Sequence, residues 1–569
     1  MSADTLAAML PPSDHEFMAQ IAALRSPQVT ATHPGPPRLP TLKSVADHFG
    51  RVVAGWIPHE FTPQERHAVR LEGLRYLVIA RQIEEVQRDI YPRPLPTEVQ
   101  AQLIFARQSY MLRYFRTFRV NDLPIEIISN ILRFVIWDSM KKPVDARLRI
   151  TWTCRRWREI ALNDSTLWNA VWFRGGGARA ERSWAWFERA RQAPLDIRID
   201  ADELEDDSAL VNIDLSDTPS SPNEMRQMLS RLFTRLSSIR MLIVVTEDWK
   251  SALTVLDMLE KGGPSGVLAL TRFELHRGGT KNEDRKSLAW PNIVAKPFLG
   301  GAAAPSLAYL SLNGIPIDWS TSILENLTTF DIRRLPASHS PDAARFREVL
   351  RNCPRLAKLS LDGAGPKFEL LDMDTLRPVD LPYLRTLVVA DFSRKYSMFL
   401  FSQFSAPNVN DLTLMNLCGE DYLPLFLQLT SAFPKVRLLT AYSLQHNVSP
   451  AGMNAMTRWL DSMPLLAYLR VANVANQFFG TFFRANPGGG STAAAGALSV
   501  IDCQSLDPNV VVQFAKDRHR FGKPLRKMYV SEELGQRLEK DQITDLTSVC
   551  ILAKLPKGAT TPEEEALTL

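Results

Sequence analysis

Apolar residues recur through the second half of the chain as L-x-x-L-x-L, with conservative apolar replacements. The pattern starts at Ile239, Leu270, Leu307, Leu327, Leu356, Leu384, Val409, Val436, Leu466, Leu498 and Leu525. Successive starts lie 20 to 37 residues apart, mostly near the roughly 20 to 29 residues of one solenoid unit built from a short strand and a helix. About ten residues before a start, a spacing of zero, three, four and seven marks one helical face. It occurs as Leu229/Leu232/Phe233/Leu236, Phe346/Val349/Leu350/Cys353 and Met456/Trp459/Leu460/Met463, with a weaker copy at Phe426/Leu429/Thr430/Phe433. Pro354, Pro434 and Pro464 end three of these helices before the strand. One helix-stop-strand unit cannot cover its own apolar face, so the units must stack, with a parallel sheet inside and helices outside.

Other periodicities divide the rest of the chain. Thr62-Pro63-Gln64-Glu65 reads as an N-cap, a proline at the first helical position and a capping-box glutamate. Tyr76, Ile79, Ile83, Val86 and Ile90 then form a single stripe on the predicted helix. This stripe either pairs with a second copy, making a homodimer through residues 63–90, or packs within the chain, on a following helix predicted from Thr97 to Phe118 or on the stretch 122–173. Residues 1–60, rich in proline and small polar residues, are expected to be disordered, and the acidic stretch from Asp200 to Glu224 to be a surface loop.

Composition narrows the function. With 45% hydrophobic and 23% charged residues over 569 positions, the chain has the make-up of a soluble protein of several units. Its apolar runs are too short to span a bilayer, and the N-terminus lacks a signal-peptide pattern, which implies a cytoplasmic or nuclear location. Cys154, Cys353, Cys418, Cys503 and Cys550 show no CxxC spacing, so neither metal nor cofactor is expected. The formal charge of +5 is spread thinly, without a basic arm for nucleic acid. Neither HExxH nor GxSxG occurs, and Gly175-Gly176-Gly177 lacks the Lys-Ser/Thr of a phosphate loop, so catalysis is not expected.

Between these parts lies a stretch with three ordered blocks: Leu123-Pro124-x-Glu126 with Ile127, Ile128, Ile131, Leu132 and Val135; Cys154-Arg155-Arg156-Trp157-Arg158 with Ile160-Ala161; and Leu167-Trp168. It resembles the F-box family. Leu95-Pro96-Thr97-Glu98 is a similar string without the later blocks, and Lys141, Lys142 and Pro143 read as a polar insertion. A module of about fifty residues has little interior, so several apolar residues should form a patch that a partner covers. The resemblance implies that this partner is a Skp-type adaptor, and through it a cullin, contacting Leu123, Pro124, Ile127, Ile131, Leu132, Val135, Cys154, Trp157, Ile160, Leu167 and Trp168. Downstream, residues 185–200 are similar to the joining segment of F-box proteins of mushroom-forming fungi.

The expected architecture is α/β: N-terminal helices and an all-helical F-box, followed by a leucine-rich repeat solenoid, a horseshoe of parallel strands and outer helices. Its parts are a disordered 1–60, a helical segment 61–121 that forms a coiled coil if the stripe meets a second copy, the F-box at 122–173, a linker with a first strand and the acidic loop at 174–224, repeats at 225–535 and a tail at 536–569. The resemblance implies the substrate-recognition subunit of a Skp/cullin/F-box ubiquitin ligase; a repeat scaffold that recruits no ligase is the alternative. Strand alternation assigns protein-substrate binding to the concave face, through Arg272, Glu274, Tyr309, Ser311, Lys358, Asp411, Tyr468, Arg470, Lys527 and Tyr529. This mixture suits an unmodified protein segment better than a phosphorylated motif, which would concentrate arginines. The competing reading is a solvated sheet with its partner on the loops near Gly278 or Gly488.

Overall fold

The structure is a computed structural model. It describes residues 61–89, 96–117, 120, 123–138, 143–174, 178–200, 221–246, 249–266, 269–277, 294–369, 377–444, 449–485, 491–556 and 558–568. Residues 1–60, Ile90, most of the acidic stretch, Gly278 and Gly488 lie outside the described residues. The chain divides into two compact units, Met1–Asp164 and Ser165–Leu569.

The first unit contains α1 (Pro63–Asp89), α2 (Thr97–Thr117), α3 (Ile125–Asp138), α4 (Pro143–Thr153) and α5 (Arg155–Asn163). The capping box forms at the start of α1: the Thr62 amide donates to the Glu65 carboxylate at 2.8 Å, and the Glu65 amide donates to Thr62 Oγ1 at 3.3 Å. Tyr76, Ile79, Ala80 and Ile83 pack on Ala101, Leu103, Phe105 and Ala106 of α2. Tyr76, Ile79 and Ile83 of the stripe are therefore covered within the chain, as the packing alternative expects, while Val86 is exposed. Lys141 and Lys142 are outside the described residues, but Pro143 opens a helix rather than a polar loop, and Ala146 and Ile150 of that helix are buried.

The second unit is built on fourteen parallel strands whose order in the sheet follows the chain. They are β1 (Ala170–Arg174), β2 (Leu195–Asp200), β3 (Ile239–Thr246), β4 (Arg272–Arg277), β5 (Tyr309–Asn313), β6 (Thr329–Arg333), β7 (Lys358–Asp362), β8 (Thr386–Ala390), β9 (Asp411–Leu417), β10 (Leu438–Leu444), β11 (Tyr468–Ala472), β12 (Val500–Gln504), β13 (Lys527–Ser531) and β14 (Ile551–Leu555). The α-helices of this unit are α6 (Ala178–Arg189), α7 (Pro222–Leu232), α8 (Trp249–Gly266), α9 (Ala343–Arg351), α10 (Arg394–Phe401), α11 (Leu423–Leu429), α12 (Pro450–Asp461), α13 (Pro508–Arg520), α14 (Glu532–Arg537), α15 (Lys540–Val549) and α16 (Pro562–Thr568). Sequential parallel pairing through intervening helices or loops is consistent with a repeat solenoid, in which each unit is held by its neighbours.

Two features repeat with the strands. The three apolar positions of each L-x-x-L-x-L copy are buried, as in Leu307/Leu310/Leu312, Leu356/Leu359/Leu361 and Leu466/Leu469/Val471. Five residues after the first residue of a strand the backbone turns left-handed, at Gly314, Arg334, Gly363, Asp391, Asn416, Ser443, Asn473 and Ser505, with φ between 48° and 68°. Glycine reaches this region freely and Asn or Asp at small cost; Arg334 is held there by bonds from its guanidinium to Asn313 Oδ1 (2.8 Å) and the Arg277 carbonyl (2.9 Å).

The boundaries differ from those expected. The sheet begins at Ala170, inside the stretch assigned to the helical motif, so the strand expected in the linker is the second of the sheet, β2, and follows α6. It also runs past residue 535: α15 and β14 add one more unit, and α16 follows.

Candidate functional site

In the first unit, Ile128, Leu132 and Ile136 of α3 are buried, together with Ile150 of α4 and Ile160 and Ala161 of α5. This core leaves the neighbouring face of α3 uncovered. Ile127, Phe134 and Val135 are exposed there, Phe134 at 77%, and Ile131 between them is half-buried. Trp137, Ile125 and, from α4, Trp152 (67%) add exposed apolar surface. The arginine-rich block does structural work. Cys154 caps α5, its Sγ accepting from the Trp157 amide at 3.4 Å. Arg156 donates to the Leu123 carbonyl at 3.4 Å and Arg158 to the Thr151 carbonyl at 2.7 Å, while Arg133 pairs with Asp164 at 3.0 Å.

The eleven residues assigned to adaptor contact therefore separate. Pro124, Ile127 and Val135 are exposed; Leu123, Ile131, Cys154 and Trp157 are half-buried; Leu132 and Ile160 form the helical core. Leu167 and Trp168 are a correction. Both are buried in the second unit, where Trp168 lies 5.7 Å from Trp186 of α6 between ring centroids, with the Arg189 guanidinium 5.1 Å from its ring. They anchor the entry to β1 and present no surface. Phe134, Trp137 and Trp152, all exposed, were not among the residues assigned to adaptor contact. Their signal was available: from Ile125 to Trp137, α3 is apolar well beyond one stripe, which a small module cannot hide.

In the second unit, strand register sets the ten presumed substrate contacts on one face, in two rows. Arg272, Tyr309, Lys358, Asp411, Tyr468 and Lys527 belong to one row, and Glu274, Ser311, Arg470 and Tyr529 to the next. Availability differs along the face. Glu274 is buried between Arg272 and His276, whose donated bonds hold its carboxyl low against the opposing cost of burial, the largest single influence on it. Ser311 is buried and donates to Asp331 at 3.0 Å, which Arg333 also holds. Both are corrected from open contacts to parts of an internal polar row. The Arg272 guanidinium lies 4.1 Å from the Tyr309 ring centroid, leaving these two half-buried side chains at the surface.

Tyr468, Arg470, Lys527 and Tyr529 are covered by the chain's own α16. Arg470 donates to both oxygens of Glu564 at 3.1 and 2.6 Å, and Tyr529 donates to Glu563 at 2.6 Å. Asp411, close to this region, has its carboxyl pushed up to about 6 by burial, with Lys358 opposing. A carboxyl whose folded value exceeds the unfolded one binds the extra proton in the folded state, so its contribution to stability falls as pH rises between 3.8 and about 6. Asp411→Asn is expected to raise stability by about 1–3 kcal/mol at about pH 7.5, and to bring little gain at about pH 4. Denaturant titrations of both proteins at the two pH values measure this difference, and an equal effect at both would refute it.

Among the described residues, no group of three or more His, Cys, Asp or Glu side chains is placed to hold a metal ion, and no helix is long and apolar enough to cross a membrane. A comparison with curated proteins gives no match. Residues 120–174 match the F-box-like family model, so the exposed apolar helix α3 belongs to an F-box-like domain.

Proposed function

We propose that the chain is the substrate-recognition subunit of a Skp/cullin/F-box ubiquitin ligase, seating a Skp-type adaptor on its F-box-like domain and a protein substrate on a leucine-rich repeat solenoid. The observation that carries this reading is the exposed apolar face of α3, with Ile127, Phe134 and Val135 beside the buried row of Ile128, Leu132 and Ile136. Fully burying an aliphatic or aromatic side chain stabilises by about 1.5–3 kcal/mol, so such a face favours a partner. F-box-like domains generally bind Skp-type adaptors. The repeat period and the buried leucine positions support the leucine-rich assignment. In this reading the chain breaks and forms no bond; it holds a substrate at high effective concentration near a conjugating enzyme carried by the cullin.

The test is co-purification of a Skp-type adaptor and a cullin with the tagged full chain, followed by transfer of ubiquitin to captured proteins when a conjugating enzyme is supplied. Recovery of both subunits and of conjugates is expected. A folded chain that captures neither subunit leaves only the scaffold reading.

A further inference from the structure

After β14 the chain passes Gly558, at φ 77°, and returns across the polar face of the sheet. Thr561, fully buried, donates to the Tyr468 hydroxyl at 3.2 Å and accepts from the Glu564 amide at 3.1 Å. Glu564 takes the guanidinium fork of Arg470 on β11, and Glu563 takes the Tyr529 hydroxyl and, at 3.3 Å, Lys527 Nζ on β13. Leu567 and Ala559 pack on a cluster of Leu438, Tyr468, Val500, Tyr529 and Leu555. A segment that only capped the solenoid would lie along the unpaired edge of β14. This one reaches back to Tyr468 and Arg470 on β11.

The surface beneath the segment has its own supports. Asp502, fully buried, accepts from Arg470 Nε at 2.8 Å, which leaves the guanidinium's two other nitrogens directed at an external carboxylate. An oriented fork of this kind loses little freedom when a carboxylate arrives. Lys527 lies with its Nζ 4.6 Å from the Tyr529 ring centroid. The result is a cationic and aromatic cradle across β11 to β13 whose occupant is acidic and held by pairs that salt screens.

We propose that this cradle is a binding site for an acidic segment of a partner protein, of the form hydroxyl residue, one spacer, two glutamates and a leucine three positions later, and that residues 558–568 occupy it as an internal competitor. The inference rests on the reading of this sheet face as the recognition surface, and it specifies the chemistry of what is recognised. Access requires the segment to leave, so a partner's segment binds in competition with Thr561, Glu563, Glu564 and Leu567.

The test uses the full chain and a fluorescent synthetic peptide with the sequence of residues 558–568. Glu563→Gln with Glu564→Gln removes the tail's charges at nearly constant size, and Glu563→Lys with Glu564→Lys is a second release variant. The peptide is expected to bind at least tenfold tighter to a release variant than to the unaltered chain, more weakly as salt is raised. Adding Arg470→Ala to the release variant should reverse the gain at least tenfold. Equal peptide affinity in the unaltered chain and both release variants, or a gain that survives Arg470→Ala, overturns the proposal. Capture of a Skp-type adaptor, measured on the same proteins, should not change. Its absence throughout counts against the ligase reading alone, while retained capture without the peptide effect counts against the acidic cradle alone.

Discussion

Replacing Ile127, Phe134 and Val135 together by alanine should weaken binding of a Skp-type adaptor by about 2–4 kcal/mol, roughly thirtyfold to a thousandfold. The three side chains are exposed on one face of α3, beside the buried row that holds the helix in its module. Because they contribute little to that core, stability should change by only about 0.5 kcal/mol for each substitution. The combination distinguishes a docking face from a core face: a Leu132→Ala control, at a fully buried position, should lose stability by about 2–5 kcal/mol. Calorimetric titration of the adaptor, with denaturation of the same proteins, reads both effects. Adaptor affinity unchanged in the folded triple variant would remove α3 from the interface.

Arg518→Met should destabilise the second unit by at least about 3 kcal/mol. The residue lies near the end of α13, completely buried, and its hydrogen bonds go to backbone carbonyls rather than to a carboxylate. Its guanidinium donates to the carbonyls of Ala494 (2.7 Å), Ala495 (3.3 Å), Leu498 (3.1 Å) and Lys523 (3.1 Å). Burial lowers its pKa to about 10, which leaves it charged at neutral pH. A buried ion pair can often be exchanged for apolar residues at little cost because both partners leave. Here the acceptors are backbone carbonyls that stay, so methionine matches the length but takes away every donor at once. Arg518→Lys should recover only part of the loss, since one ammonium cannot span acceptors on both sides of a planar fork. A midpoint shift in denaturant measures it, and a Met variant as stable as the original chain would contradict the role given to these bonds.

The repeat units were legible because their signals are local. The burial of Leu310 and Leu312, or of Val349 and Leu350, follows from periods of two and 3.6, and the structure buries all four. The left-handed turns at Gly314, Gly363, Asn416 and Asn473 also fall on residue types suited to them, whereas Arg334 has that geometry through two contacts from other repeats. The stripe on α1 was legible as apolar but not as to what covers it, since pairing with α2 and pairing with a second copy demand the same residues.

The sequence by itself determined where eleven of the strands and four of the helices of the repeats lie, which side of each of those strands is apolar, and that an F-box-like stretch separates them from the N-terminal helices. Tertiary structure alone decided which of those residues remain accessible. Trp168 reads as one more apolar position of a short motif, and only its packing on Trp186 removes it from the surface. Glu563 and Glu564 fall in the stretch assigned only as a tail, yet Glu564 meets Arg470 across 94 positions. The physical reason is common to both. Hydrophobic period reports how a residue faces its own element, because that is fixed by backbone geometry a few residues long, while contacts between distant segments depend on where the completed sheet brings them and leave no period in the chain.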